Sequence, residues 1–387
     1  MRFKLLSLLF ISLLIITSVF SDTKTKFYAF NEGQFGKSFL EITQGYPILH
    51  LYGTPKEKGM ACGFLLRKQI KHLVNSYIHV IYANPEKYKT AIKKAKSLAN
   101  YIPKEYLDEI KGISETSGVA YNDILLANTF LDIESFMGCS TFISHAANTK
   151  EKVLLFGRNL DFHSLDVAHK YDLIIVYHSE KDSNQDIVSI TWPGFVGVIS
   201  GINKQGLTAT MLVNISDRKS SAKLIPCTFA FRKLLESKTN VKEAMNFFSK
   251  TKIASANNLT VADANNNSIV FELLPFRKTI IRHPENKTLF CTNYSSNNKL
   301  IKGELGIRYM TLKNTAQRYY KQNEKINLSL LKEILKKVAI EEINLQSMIF
   351  VPSQKKMYLS MSAIPAASGN YKEINLLPLF NKQRKIK

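Results

Sequence analysis

The periodicity of the sequence changes at Cys139. Upstream of it, apolar residues recur at helical spacing and predict helices over 55–83, 86–100, 103–116 and 121–136. Thr54 and Pro55, with Glu57 three residues after the threonine, are typical of a capped helix start. Downstream, short β-rich runs are separated by Asn, Gly, Asp and Lys turns. Strands grouped between helical blocks predict an α+β fold in which two sheets stack and helices cover them.

The remaining elements are predicted from the same hydrophobic periodicity and turn residues. Extended chain is predicted over 38–52. Further strands are predicted at 140–143, 153–157, 173–177, 187–191, 196–200, 207–214, 259–262, 268–273, 278–282, 287–292, 348–351 and 356–360, and helices at 227–235, 241–248, 304–322 and 329–338.

The first 21 residues have the layout of a secretory signal peptide. Arg2 and Lys4 precede an apolar run from Leu5 to Ile16, and small residues follow up to Ser21. The run is too short for a membrane-spanning helix. We therefore predict cleavage near Ser21 and a secreted or periplasmic mature protein.

Basic residues outnumber acidic ones by 53 to 31, a formal net charge of +22. Nucleic-acid binding is not expected, because the lysines are neither interleaved with aromatic residues nor carried on a known binding module. Such charge favours non-specific contact with anionic membrane or envelope surfaces, although lysine-rich proteomes also yield basic proteins without a specific partner. The sequence does not indicate an oligomeric state.

Four cysteines, Cys62, Cys139, Cys227 and Cys291, lie far apart without CxxC spacing. No metal-ligand motif or phosphate-binding glycine loop is present, so no cofactor is predicted. Four cysteines are too few for a disulfide framework in 387 residues, and Cys62 and Cys291 read better as buried thiols than as an assured pair. The sequence does not indicate the disulfide status of Cys62, Cys227 and Cys291.

Cys139 differs from the other three by its neighbours. It follows Gly138 and precedes Ser140 and Thr141, at the point where helical periodicity gives way to strands. A cut between Gly138 and Cys139 gives the cysteine a free α-amino group, whose pKa near ~8 suits a general base beside a thiol nucleophile. The alternative is a buried cysteine that acts only as a small hydrophobic residue.

The ordered motifs together resemble those of the N-terminal-nucleophile (Ntn) hydrolases. The nearest branch is the acyl-coenzyme A:6-aminopenicillanic acid acyltransferase-like family, with choloylglycine hydrolases, penicillin V acylases and acid-ceramidase-like amidases as further kin. The matching segments are Gly53–Gly59 with Gly63, Gly138–Thr141, Gly157–Asp161, Pro193–Gly197, Gly201–Leu207 and Cys291–Asn293. The resemblance implies a four-layer αββα sandwich with an N-terminal helical segment.

The resemblance also implies roles for single residues. Cys139 is the nucleophile, Arg158 lowers its pKa, and Asp161 accepts a hydrogen bond from the new α-amino group. Asn214 helps to form the oxyanion hole, Asn293 orients the amine or the substrate, and Arg308 lies near the site. Arg158 and Asp161 as a mere ion pair, Asn293 as a turn residue, and Arg308 as a solvent-facing helix residue remain open alternatives.

The predicted organisation is a signal peptide at 1–21, a helical small chain at 22–138 and a catalytic chain at 139–387. The small and catalytic chains are expected to remain one folded unit after self-cleavage. The predicted reaction is hydrolysis of a linear amide of an N-acylated small molecule through an acyl-thioester at Cys139. Two alternatives stay open, an acyltransferase and an inactive basic binding protein. Four phenylalanines are candidates for the acyl pocket or for the core: Phe136, Phe142, Phe156 and Phe162.

Overall fold

A computed structural model describes residues 27–134, 138–180, 185–215, 220–295 and 304–382. The predicted signal peptide, the first residues of the predicted small chain and Phe136 lie outside these residues. The predicted secretion signal and location therefore stay predictions.

The helices follow the predicted pattern, with differences at their ends. The first begins with the predicted capping pair, since Thr54 accepts from the backbone of Glu57 while the Glu57 side chain accepts from the backbone of Thr54. The predicted long helix at 55–83 is interrupted at Leu66 and by a π-helical turn at Val74–Ile78 before a last turn at His79–Ile81. The helices are α1 (Pro55–Leu65), α2 (Arg67–Leu73), α3 (Pro85–Ala99), α4 (Lys104–Ser117), α5 (Tyr121–Ile133), α6 (Cys227–Ser237), α7 (Val241–Lys250), α8 (Glu304–Lys321), α9 (Leu328–Val338) and α10 (Leu377–Phe380), with 3₁₀ turns at Ala146–Asn148, Ala168–Tyr171, Glu341–Ile343, Pro352–Gln354 and Ala366–Ser368.

Within the described ranges, sixteen strands form two sheets. The large sheet has the order β1-β2-β3-β6-β7-β8-β9-β10-β11-β12, and the small sheet has the order β13-β4-β5-β14-β15-β16. The strands are β1 (Gly33–Phe35), β2 (Ser38–Thr43), β3 (Tyr46–Leu51), β4 (Gly138–Ser144), β5 (Leu155–Asp161), β6 (Leu173–Tyr177), β7 (Ile187–Thr191), β8 (Ser200–Asn203), β9 (Thr208–Val213), β10 (Asn257–Ala262), β11 (Ser268–Leu273), β12 (Ile280–Arg282), β13 (Thr288–Cys291), β14 (Asn344–Val351), β15 (Lys356–Met361) and β16 (Lys372–Asn375).

The two sheets stack face to face between two layers of helices. The outer side of the large sheet contacts α1 and α6, while the outer side of the small sheet contacts α8 and α9. Side chains from both sheets meet between them, as the hydroxyl contact of Thr141 on β4 with Thr260 on β10 at 3.1 Å shows. The predicted αββα sandwich is confirmed.

The helical layer over the large sheet depends on three glycines. A Cβ at Gly59 of α1 would lie 2.1 Å from the carbonyl oxygen of Glu109, and one at Gly112 of α4 would lie 2.4 Å from that of Lys56. A Cβ at Gly63 would lie 2.2 Å from Thr116 Oγ1. Any larger residue at these positions would force α1 and α4 apart.

The N-terminal segment also contributes strands. β3 pairs in parallel with β6, so residues on both sides of the predicted cut share the large sheet. The predicted strand at 196–200 is wrong, because only Ser200 belongs to β8 and the residues before it follow an irregular path. β16 and α10 were not predicted. None of the described helices is long and apolar enough to cross a membrane.

Candidate active site

Cys139 lies at the start of β4, where β4 pairs with the end of β5. Gly138 is opposite Asp161, Cys139 is opposite Leu160, and Thr141 is opposite Arg158. Directly opposed residues share a face of an antiparallel sheet, and successive residues alternate between faces. Cys139 and Arg158 therefore lie on the inner face, towards the large sheet, while Asp161 lies on the outer face.

On the inner face, the thiol of Cys139 is fully buried beside Arg158. Burial raises the pKa of Cys139 above its ordinary value, and the positive charge of Arg158 and its hydrogen bond to the sulfur oppose that rise. Arg158 is itself held across the sandwich by Ser200 Oγ on β8, at 3.2 Å from its Nε. The structure therefore brings Cys139 and Arg158 together.

On the outer face, Asp161 pairs with Arg308. One carboxylate oxygen accepts from Arg308 Nη2 at 2.5 Å, and the other accepts from Asn344 Nδ2 at 2.8 Å. Arg308 is 5% exposed and its Nε donates to the carbonyl of Val338. The sequence-based alternatives for Arg308 and for the Arg158–Asp161 pair are both wrong. Arg308 does not face solvent, and the ion-pair partner of Asp161 is Arg308 instead of Arg158.

The backbone nitrogen of Cys139 contacts Asn293, to which the resemblance assigns the orientation of the amine or the substrate. In the uncut chain its N–H donates to Asn293 Oδ1 at 2.7 Å. Asn293 Nδ2 donates to the carbonyl of Val213 at 2.8 Å, so Asn293 links Cys139 to the end of β9. Asp161 bonds no atom of Cys139 in any of its described hydrogen bonds, and its contact with the new amine stays a prediction for the cut form.

Asn214 follows Val213 at the end of β9, and its side-chain amide already donates two hydrogen bonds. Its Nδ2 donates to Asn258 Oδ1 at 2.8 Å and to Ser295 Oγ at 2.9 Å. A primary amide has two N–H donors. Donation to an oxyanion would therefore require one of these bonds to be exchanged for the substrate oxygen.

Three residues of the site were missed from the sequence, namely Ser200, Asn258 and Asn344. Each is buried and each holds one of the predicted site residues. Asn258 had a usable signal, because asparagine is depleted in strands and Asn257-Asn258 begins a β-rich run. The contacts of Ser200 and Asn344 join strands far apart in sequence, and no local pattern indicates them.

An apolar cavity of about 90 Å³ lies next to the end of β5. A buried water needs only ~10–15 Å³ by a comparable measure, so the cavity has room for several carbon atoms. Phe162, which follows Asp161 directly, lines it together with residues of the helical layer and of the β7–β8 connection, including Tyr77, Ala127, Phe130, Leu131 and Trp192.

Of the phenylalanine candidates for an acyl pocket, only Phe162 among the described residues lines this cavity. Phe142 packs with Leu312 and Leu331 beneath α8 and α9, and Phe156 packs against Phe350. Phe142 and Phe156 are therefore core residues. Among the described residues, no group of three or more His, Cys, Asp or Glu side chains is arranged to hold a metal ion.

Residues 147–359 match the family model of the acyl-coenzyme A:6-aminopenicillanic acid acyl-transferase family. The match includes Arg158, Asp161, Asn214, Asn293 and Arg308, but it begins eight residues after Cys139. It covers more than half of the chain.

Curated relatives are similar over part of their length. Protein dcd1A of Dictyostelium discoideum is 26% identical over 229 residues, 51% of this chain and 52% of that protein. Acid ceramidase of Rattus norvegicus is 24% identical over 213 residues, 49% of this chain and 51% of that protein. The chain thus spans about half the length of these relatives.

One solved structure with a similar fold is the Caenorhabditis elegans ortholog of N-acylethanolamine-hydrolyzing acid amidase. The TM-score is 0.46 at 17% sequence identity, and the match covers 56% of this chain and 93% of that chain.

Proposed function

Because this chain belongs to the acyl-coenzyme A:6-aminopenicillanic acid acyl-transferase family, we propose that it is a self-cleaving cysteine amidohydrolase that acts on linear N-acyl amides. The observation that carries the proposal is the group formed by Cys139, Arg158 and Asn293. It combines a thiol, a cation that favours its thiolate, and an amide that holds its backbone nitrogen.

The first step is self-cleavage. The sulfur of Cys139 attacks the carbonyl carbon of Gly138, the peptide C–N bond breaks, and the thiol proton passes to the released nitrogen. Water then hydrolyses the thioester and leaves a carboxylate on Gly138. A Cβ at position 138 would lie 2.6 Å from Ile340 Cδ1 and 3.1 Å from Asp161 Cβ, so any larger residue there would require the end of the Ile340 side chain to shift.

Turnover repeats the same chemistry on substrate. The freed α-amine of Cys139, with a pKa near ~8, takes the thiol proton and gives it to the leaving amine. Before the cut, the thiol pKa is raised by burial and the nitrogen is an amide without basicity. The cut therefore supplies the base that the buried thiol lacks.

The two chains stay joined after the cut through buried polar contacts. Arg232 of α6 donates from Nη2 to Glu109 Oε1 of α4 at 2.6 Å and from Nη1 to Glu109 Oε2 at 2.7 Å. Asp132 of α5 accepts from the backbone of Cys227 and from Ser255 Oγ. With the β3–β6 pairing, these contacts favour one folded unit.

The substrate class rests on the cavity and on the relatives. Acid ceramidase acts, by its name, on ceramide, and ceramide is an N-acyl amide with an apolar acyl group. The cavity beside Phe162 has the apolar lining that such an acyl group needs. We infer that amides with hydrophobic acyl groups are substrates and that ordinary peptides are not.

Acyl transfer is the second candidate, and the description of the family model favours it. In that case an acceptor amine, instead of water, resolves the acyl-thioester. Product ratios measured at rising concentrations of a small amine distinguish the two. A constant yield of free acid supports hydrolysis, and a growing share of new amide supports transfer.

The test begins with the intact mass and N-terminal sequence of the mature protein. We expect two chains, the second beginning Cys-Ser-Thr-Phe, and cleavage of fatty-acyl or phenoxyacetyl amides but not of casein. Cys139→Ala should abolish both processing and turnover, while Cys139→Ser processes slowly.

Cys62→Ala is the matched control, because burial raises the pKa of Cys62 to about 12 and makes it an inert core thiol. This variant should process and turn over normally. Full turnover by the uncut Cys139→Ala protein would falsify the proposal.

A further inference from the structure

We propose that Asn258 is a positioning residue for the reaction at Cys139, because its one amide group fixes both Asn214 and the turn that carries Asn293. The proposal rests on the proposed function for its chemistry and on the geometry around β10 for its structure. Nothing in the motifs around the cysteine includes Asn258.

Asn258 lies on the inner face of the large sheet. It is fully buried in β10. It lies two residues before Thr260 and therefore on the same face of the strand, and the hydroxyl of Thr260 contacts Thr141 of β4 between the sheets. Since Cys139 and Thr141 also share a face, Asn258 and Cys139 both point into the space between the sheets.

Both the oxygen and the nitrogen of the Asn258 side-chain amide form hydrogen bonds. Its Oδ1 accepts from Asn214 Nδ2 at 2.8 Å. Its Nδ2 donates to the carbonyls of Thr292 at 3.0 Å and Tyr294 at 2.9 Å, which flank Asn293 on either side. One side chain therefore sets the orientation of Asn214 and the path of the backbone at Asn293.

Asn293 in turn forms hydrogen bonds with the backbone on both sides of Asn214. Its Nδ2 donates to the carbonyl of Val213 and its own carbonyl accepts from the backbone of Ile215, the two neighbours of Asn214. Its Oδ1 accepts from the nitrogen of Cys139. A displacement of Asn258 is therefore transmitted to the nitrogen that becomes the general base.

Asparagine is the residue that meets these requirements at position 258. The site needs two donors and one acceptor within a short reach, which is the hydrogen-bonding capacity of a primary amide. Aspartate would direct a carboxylate at two carbonyl oxygens, and alanine would leave both carbonyls and one N–H of Asn214 without this partner. Since catalytic geometry is sensitive to displacements near 1 Å, the loss falls on kcat.

The experiment compares Asn258→Ala and the milder Asn258→Ser with Asn257→Ala. Asn257 is the neighbouring buried asparagine, and it lies on the opposite face of β10. Its Nδ2 donates to the carbonyl and to Oγ of Ser255. Thermal melts establish that each variant is folded, and the Ser variant carries the comparison if the Ala variant aggregates. The readouts are kcat and KM on an N-acyl amide, and hydrogen exchange at the backbone N–H of Ile215.

For Asn258→Ala we expect kcat to fall about 10²-fold with KM changed by less than about 3-fold, and exchange at Ile215 to rise about 10-fold. Asn257→Ala should leave all three within about 3-fold of the wild type. Equal losses in kcat for the two positions, or a loss confined to KM, overturn the proposal.

If the wild type cleaves no amide, the proposed function fails and hydrogen exchange alone decides the role of Asn258. Faster exchange at Ile215 in Asn258→Ala, but not in Asn257→Ala, upholds its positioning role. Equal exchange in the two variants overturns it.

Discussion

The two faces of the small sheet use charge in different ways at the same end of β4 and β5. On the inner face, Arg158 lies beside a thiol and opposes the effect of burial on its pKa. On the outer face, Arg308 neutralises the buried carboxylate of Asp161 beneath the helices. Arg158 and Asp161 are three residues apart on one strand, and an odd spacing puts them on opposite faces. One short motif therefore places one side chain beside Cys139 on the inner face and another in a buried ion pair on the outer face.

The largest expected effect is the loss of the outer-face ion pair. Arg308→Leu leaves the buried carboxylate of Asp161 without its cation and should lower the free energy of unfolding by about 3–5 kcal/mol. The double variant Asp161→Leu with Arg308→Leu should recover much of that loss, because it also removes the unpaired charge. Urea unfolding of the single and double variants measures both.

Lys104→Ala is the control for that experiment. Lys104 forms an exposed i,i+4 pair with Asp108, and pairs of this kind contribute about 0.3–0.5 kcal/mol. If Arg308→Leu costs no more than Lys104→Ala, the outer face is not the anchor described here.

The second effect concerns the inner face. Arg158→Ala removes the cation that opposes the raised pKa of Cys139, so the pKa of that thiol should rise further and the pH dependence of kcat/KM should move to higher pH. The expected loss in kcat/KM at neutral pH is about 10²–10³-fold. Arg158→Lys keeps a positive charge and should lose less. An unchanged pH profile in a folded Arg158→Ala variant would return Arg158 to a purely structural role.

The difference between the faces also shows what the sequence could reveal. Elements were predictable from local period and turn residues, and the proximity of Cys139 and Arg158 could be expected from motifs within one hairpin. The partner of Asp161 lies 147 residues away and the partner of Cys139 nitrogen 154 residues away. Such contacts depend on the stacking of two sheets and one helix, and the sequence carries no local record of them. Arg158 and Asp161 are themselves close in sequence, but strand alternation separates their side chains and excludes an ion pair between them.

The third effect tests the cavity beside Phe162. Ala127→Phe should fill part of the space lined by Phe162 and Trp192, and should raise KM for long-chain acyl amides about 10-fold relative to acetyl amides. The short-chain substrate is the internal control, because its acyl group does not reach the filled region. A KM change that is equal for both chain lengths would remove the cavity from substrate binding.

The last comparison is between two buried carboxyl groups. Asp161 has Arg308 as its cation, whereas Asp172 forms no salt bridge among the described ion pairs and accepts hydrogen bonds from Gln346 Nε2 and the backbone of Ser362. Burial raises the pKa of Asp172 to about 8. The side chain of Gln346 lies on the inner face, since it is opposite Leu160.

The pH dependence of that carboxyl gives the final prediction. In the unfolded chain Asp172 ionises near pH ~4, whereas in the folded chain it keeps its proton up to about 8. The folded state therefore binds one more proton between these values, and its stability falls by about 1.4 kcal/mol for each pH unit as pH rises towards 8. Asp172→Asn removes this group, so between pH 5 and 8 its free energy of unfolding should gain on that of the wild type by the same slope. Urea unfolding of both proteins at pH 5, 6, 7 and 8 measures the difference, and two parallel stability curves would mean that Asp172 is ionised in the folded protein throughout this range.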